Sequence, residues 1–276
     1  MDLVLNIPFF CIMLSMFSGT VSSVLPGKWA RRLNAVMVSV VAVLSGWLLR
    51  HLVIYDIGSY TYMMGHFPAP WGNELRVGVL EAGMALFFCI IMLLSLLGGR
   101  KKLKGEVEYS KHNVYYILCN LLLSSLLALI YTNDLFTAYV FVEINTIAAA
   151  GLIMIRQNGR CIEATVRYMI MSLLGSGLLL LGICMLYDMT GHLLMSNIKE
   201  QIRVIMETGV YRVPMIVTIG IMTVGLAIKS ALFPFHSWLP DAYGYSTVSS
   251  GAILSSLVSK GYIFLLFKII YRVIGF

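Results

Sequence analysis

The chain has 276 residues, of which 59% are hydrophobic and only 12% charged, with a formal net charge of +7 and a mean hydropathy of +0.86. A soluble domain carries roughly a quarter of its residues as charges, so that class is excluded. The five cysteines (Cys11, Cys89, Cys119, Cys161, Cys184) show no CxxC or Cys/His ligand spacing, which argues against a disulfide framework or a cysteine-held cluster.

Eight apolar runs follow in chain order, at 3–25, 33–54, 75–97, 113–132, 134–155, 163–187, 213–232 and 246–271. Each is long enough to cross a bilayer as a helix, which satisfies its own backbone polar groups in hydrocarbon. The fold class expected is an all-α integral membrane protein. Residues 1–276 form one membrane domain, with spans one to three in 1–100 and spans four to eight in 101–276. The start "MDLVLNIPFF" has an aspartate and no basic residue ahead of its apolar stretch, so it reads as a span rather than a cleavable signal peptide.

The basic residues alternate between loops. One set of loops holds ten: Lys28, Arg31 and Arg32, then Arg100, Lys101, Lys102, Lys104 and Lys111, then Arg156 and Arg160. The opposite set holds five: Arg50, Arg76, Lys199, Arg203 and Arg212. The positive-inside rule then puts both termini outside. This distribution makes the net charge a matter of topology rather than of nucleic-acid binding. The run "GRKKLKGEVEYSK" reads first as a topology determinant, with anionic lipid or an acidic partner as the alternative. Segment 192–208 places apolar residues at 194, 198, 202 and 205, the spacing of a surface amphipathic helix.

Five basic residues remain inside the spans: Arg167, Lys229, Lys260, Lys268 and Arg272. Lys268 and Arg272 lie near the chain end, where snorkelling to the interface is the simple reading, and Arg167 is shallow enough for the same. Glu143 is different. It lies nine residues into the fifth span, roughly 14 Å deep at 1.5 Å per residue. A charge at the centre of a lone helix costs at least ~2.5–3.5 kcal/mol, so Glu143, Lys229 and Lys260 need partners, water or neutralisation. A static Glu–Lys brace between helices is the plain alternative to a functional pair. In the eighth span Ser249, Ser256 and Lys260 stand at i, i+7 and i+11, one helical face. That stripe fits a water-lined proton path or close helix packing.

The seventh span runs into "IKSALFPFHSWLPD", residues 228–241. Pro234 removes a backbone donor and its ring clashes with the preceding turn, so a helix break is expected near Phe233–Pro234. Broken helices at membrane depth are tolerated where protein buries them or water reaches them, and transporters use such breaks to present charges to ions. Lys229 comes just before this break and His236 just after it. A carboxylate moving toward or away from such a lysine would load or unload its proton.

These residues resemble a known family. "IKSALFPFHSWLPDA" resembles the seventh-helix signature of the antiporter-like proton-translocating subunits of respiratory complex I, Mrp antiporters and membrane-bound [NiFe] hydrogenases. "TNDLFTAYVFVEINTIAAAGLI" resembles their fifth helix and "SSGAILSSLVSKGYIFLLFK" their eighth, while "YMMGHFPAPWGNELRV" looks most like the Mrp D-type subunit. The resemblance implies that Glu143 and Lys229 form the charge pair driving proton transfer and that Lys260 is the mid-membrane relay. Arg167, His236 and Ser256 would be accessory.

Two departures stand out. Tyr243 occupies a position where relatives carry histidine, and the family pattern has about fourteen helices in two inverted repeats whereas this sequence shows eight. It would supply one half-channel of the antiporter-like fold. The expected partners are other membrane subunits, one of them supplying the second half-channel, an iron–sulfur/[NiFe] peripheral arm, and membrane lipid. The chain carries no haem, iron–sulfur, GxGxxG or P-loop motif, so no cofactor or metal is expected in it, and redox chemistry would belong to partners. The competing reading is a non-conducting scaffold that anchors a redox arm, and a stand-alone solute carrier is a distant third. A multi-pass place in the cell's inner (cytoplasmic) membrane is expected.

Overall fold

The computed structural model describes residues 2–64, 67, 72–209 and 211–275. Gly65, His66 and residues 68–71, part of the stretch that looks D-type, lie outside the described residues. Among the described residues eight helices are long and apolar enough to cross a membrane. They are α1 (Ile7–Val24), α2 (Gly27–Ile54), α3 (Val79–Glu106), α4 (His112–Tyr131), α5 (Leu135–Met154), α6 (Gly159–Thr190), α8 (Arg212–Lys229) and α10 (Val248–Ile274). Between them lie α7 (Met195–Thr208), the expected amphipathic helix, and the short α9 (Leu239–Tyr245). The chain is a multi-pass membrane protein.

Local sequence sets the boundaries. Asp134 accepts from the Thr137 amide at 2.6 Å and Asn158 from the Cys161 amide at 3.0 Å, so α5 and α6 begin on side-chain caps. Thr247 does the same for α10 through the Ser250 amide. Gly191 and Gly209 end α6 and α7 in the left-handed region, with φ of +70° and +74°. Helix α7 buries Met195, Ile198, Ile202 and Ile205 and leaves its charges outward.

A small antiparallel hairpin, β1 (Ser59–Met63) with β2 (Glu74–Gly78), covers one end of the bundle in the register Ser59↔Gly78. This changes the third span, which the apolar run alone starts at 75. In "ELRVG" Leu75 and Val77 are buried while Glu74 and Arg76 turn outward, a period of two that makes a strand. Helix α3 therefore begins at Val79.

Helix α4 is the centre of the bundle and packs against α1, α2, α3, α5 and α10. Its polar positions face other helices: Asn120 pairs with Asn34 of α2, and Ser125 receives the Asn145 amide of α5. Helices α6 and α8 approach through glycine. A Cβ on Gly175 would sit 2.8 Å from the Gly225 carbonyl oxygen, and one on Gly225 would sit 2.6 Å from that of Gly175. Small residues at such contacts let membrane helices close on each other.

Three further sequence expectations change. Helix α8 ends at Lys229, a turn ahead of Pro234. Proline leaves the Ser230 carbonyl without its helical donor and excludes a helical residue just before itself, so the helix must stop earlier. Second, α10 contains π-helical segments at Leu254–Val258 and Ile270–Ile274. The wider turn rotates everything beyond it by about one residue, or 100°. Ser249 is consequently buried while Lys260 is exposed, and the single face uniting Ser249, Ser256 and Lys260 does not exist. Third, Lys268 and Arg272 do not snorkel. Lys268 is buried and donates to the carbonyls of Ile130 at 2.8 Å and Thr132 at 2.6 Å, and Arg272 pairs with the buried Glu81. These residues close the exposed carbonyl end of α4, where a cation is favoured.

Candidate functional site

Helix α8 terminates in mid-bundle and its last carbonyls find other donors. The Ser230 hydroxyl donates to Leu226 at 2.6 Å, the Leu232 amide to Ala227 at 2.9 Å, and the Trp238 indole to Ile228 at 3.3 Å. Ala231 turns the chain with φ of +56°, a conformation that costs a non-glycine residue of order 1–3 kcal/mol. The reversal leaves the Lys229 side chain pointing into the bundle.

Lys229 Nζ lies 3.2 Å from Glu143 Oε1 on α5 and donates to Thr146 Oγ1 at 2.7 Å. The lysine side chain is 0% exposed and the glutamate 25%. Glu143 and Thr146 are three apart on α5 and so share a face. From Thr146 polar contacts continue inward. Its hydroxyl lies 3.4 Å from both Ser172 Oγ and Tyr262 Oη. Tyr262 donates to Asn145 Oδ1 at 3.1 Å, and Asn145 Nδ2 donates to Ser125 Oγ at 3.0 Å. The series joins α8, α5, α6, α10 and α4. Hydroxyls both donate and accept, so Thr146, whose own hydroxyl rests on the Val142 carbonyl at 2.8 Å, can hand a proton to Ser172 or Tyr262 by rotating, whereas the Asn145 carboxamide orients Tyr262 and is not a carrier.

The other candidate residues stand apart from this pair. Lys260 is exposed and donates to the Ser255 carbonyl at 2.6 Å, within the π-helical turn. Ser256 donates to the Ala252 carbonyl of its own helix. His236 is exposed and stacks on Phe233 at 5.8 Å between ring centroids. Pro234 lies in the turn after α8. Arg167 bridges Glu163 at 2.7 Å and Asp241 at 2.8 Å, tying α6 to α9. Tyr243, in place of the family's histidine, contacts Ser259 Oγ at 2.6 Å.

Sequence reasoning missed Thr146, Asn145 and Tyr262. Thr146 was legible as the residue one turn beyond Glu143. Tyr262 was not, because the π-helical segment sets its direction. Glu81 was missed as a buried acid, since it falls where the third span seemed already to have begun.

The family model described as "NADH:quinone oxidoreductase/Mrp antiporter, TM" matches residues 132–274, and so covers both members of the ion pair. The chain belongs to this family. NADH-quinone oxidoreductase subunit N of Desulforudis audaxviator is 34% identical over 214 residues, covering 78% of this chain and 42% of that protein. The D-type subunit of the Na(+)/H(+) antiporter of Bacillus subtilis is 27% identical over 219 residues, covering 79% and 42%.

Among solved structures, a chain of an archaeal membrane-bound sulfane sulfur reductase superposes with a TM-score of 0.85 at 22% identity, covering 100% of this chain and 54% of its own length. A chain of the Mrp complex from a Dietzia species gives 0.86 at 20%, covering 99% and 50%. These likenesses establish the antiporter-like membrane fold. The chain spans under half the length of the curated relatives it matches and about half that of the structural neighbours.

Proposed function

We propose that this chain is a cation-translocating subunit of a multi-subunit membrane complex of the Mrp-antiporter, complex I-like or energy-converting hydrogenase kind, moving protons with or without coupling to sodium. The observation that carries this reading is the Lys229–Glu143 pair at the end of a broken helix, continued inward by Thr146, Tyr262 and Asn145. In the proposed cycle Glu143 holds the proton on Lys229 while the pair is closed. When the carboxylate moves off, the desolvated ammonium gives its proton toward Thr146; Glu143 takes up a proton at its exposed side and on returning passes it to the neutral amine, which restores the ammonium–carboxylate pair.

Glu143 lies on the side of α5 where Val140 and Ile147 are exposed. In an assembled complex that stripe is where a neighbouring subunit would shift the carboxylate. The expected partners are therefore other membrane subunits, with any redox centre in a peripheral arm. The loop charges support a cytoplasmic-membrane location with the N-terminus outside.

Lys229→Ala tests the reading. Ion movement in vesicles holding the complex should be lost while the complex stays assembled, as judged by co-purification of its subunits. Unchanged ion movement would leave the second reading, a non-conducting scaffold.

A further inference from the structure

The basic end of the bundle contains two adjoining cavities that share Arg31, Arg100 and Tyr116 as walls. The larger, about 390 Å³, is lined by Lys28, Arg31, Arg100, Lys104 and His112. The smaller, about 310 Å³, adds Arg32 and Asn34 to the shared residues, together with Ala35, Leu93, Leu96 and Leu97 of α2 and α3. No carboxylate lines either cavity. Among the described residues none of Lys28, Arg31, Arg100 and Lys104 makes an ion pair. The nearby acids are engaged elsewhere: Glu108 holds Lys111 at 2.7 Å, and Glu106 accepts the Val248 amide at 3.1 Å.

Topology alone asks only that basic residues occupy these loops. It does not ask that two helix ends, around residues 28–31 and 100–104, converge on one cavity. Nor does it ask that an apolar trench lead away from that cavity between α2 and α3. Arginine presents a planar fork that fits a phosphate's oxygens, and basic pockets between membrane helices suit anionic headgroups.

We propose that this pair of cavities is a binding site for an anionic glycerophospholipid. Its phosphate sits between Arg31 and Arg100, flanked by Lys28 and Lys104, and one acyl chain lies along Ala35, Leu93, Leu96 and Leu97.

The test uses the full chain, purified with its complex in mild detergent and loaded with phosphatidylglycerol or with phosphatidylcholine of the same acyl chains. Retained lipid is counted by native mass spectrometry. Phosphatidylglycerol should be retained over phosphatidylcholine, and R31Q/R100Q should lower its retention about thirtyfold, the effect of two cations near the membrane surface. K101Q/K102Q removes the same charge from the same end of the bundle and should leave retention within about twofold, since neither lysine lines the cavities. Equal loss in both double variants, or no loss in either, overturns the built site. Displacement of phosphatidylglycerol by an equal concentration of inorganic phosphate overturns the lipid assignment in favour of a free-phosphate site. If R31Q/R100Q fails to insert, R31K/R100K keeps the charge but not the fork: several-fold weaker retention supports the site, and unchanged retention overturns it.

Discussion

Among the described residues two ion pairs lie inside this bundle, built from similar charges in different surroundings. In the Glu143–Lys229 pair the lysine is sealed and the acid keeps 25% of its side chain exposed. In the Glu81–Arg272 pair the acid is sealed at 1% exposure. The groups around them differ in kind. Lys229 donates to the Thr146 hydroxyl, which donates in turn to the Val142 carbonyl at 2.8 Å and lies 3.4 Å from Tyr262 Oη. Lys268, beside the second pair, donates to backbone carbonyls, which only accept. The first pair sits where a helix stops inside the bundle. The second joins the start of α3 to the end of α10 and closes the end of α4. A buried charge pair is thus no sign of conduction by itself; the pair proposed as a relay differs in having a partly exposed acid and a hydroxyl neighbour.

The sharpest way to break this comparison is to cut the second pair. Glu81→Ala leaves Arg272 without its carboxylate next to the buried Lys268, and orphaning a buried charge costs about 3–5 kcal/mol. Thermal unfolding in detergent should show a large fall in midpoint, with ion movement retained in whatever fraction stays assembled. A variant of normal stability that had lost ion movement would make Glu81 part of the path. Gly78 adds a check on the packing, because a Cβ there would lie 2.7 Å from Glu81 Oε2.

Thr146→Val sharpens the comparison from the other side. Valine keeps the shape of threonine and removes the hydroxyl between Lys229 and Tyr262. Ion movement should fall at least about tenfold, given that a positioned proton-transfer group is commonly worth 10²–10⁴, while Thr146→Ser restores most of it. Equal rates in all three proteins would mean that the proton leaves Lys229 by another way.

How far this difference is legible in the sequence depends on what carries it. The eight spans, the amphipathic helix and the need of Glu143 and Lys229 for partners follow from apolar length and from the cost of a charge in hydrocarbon, both properties of local sequence. The hairpin strand hid inside an apolar run, although the alternation of Leu75 and Val77 with Glu74 and Arg76 was there to be read. The fate of the eighth span was not readable. A π-helical turn at 254–258 decides that Tyr262 faces Thr146 while Lys260 faces outward, and no spacing rule based on 3.6 residues anticipates a wider turn. Lys268 likewise looked like a terminal snorkelling residue because its acceptors, the end carbonyls of α4, are 136 and 138 residues away in sequence.

Arg167 gives the smallest expected effect and tests whether exposure in this chain persists in the assembled complex. Its guanidinium joins Glu163 and Asp241 on the bundle surface, with 56% of the side chain exposed. Solvated pairs of this kind are worth about 0.2–1 kcal/mol each, because water and salt compete for both charges. Arg167→Gln should therefore shift the thermal midpoint of the isolated chain only slightly, and less at high salt than at low salt. Measured in the assembled complex, the same substitution has a second use. A loss there well above 1 kcal/mol would mean that a neighbouring subunit covers the α6–α9 seam and turns a weak surface bridge into a buried one. That would place a partner on the side of the broken helix, within reach of the segment that carries Lys229.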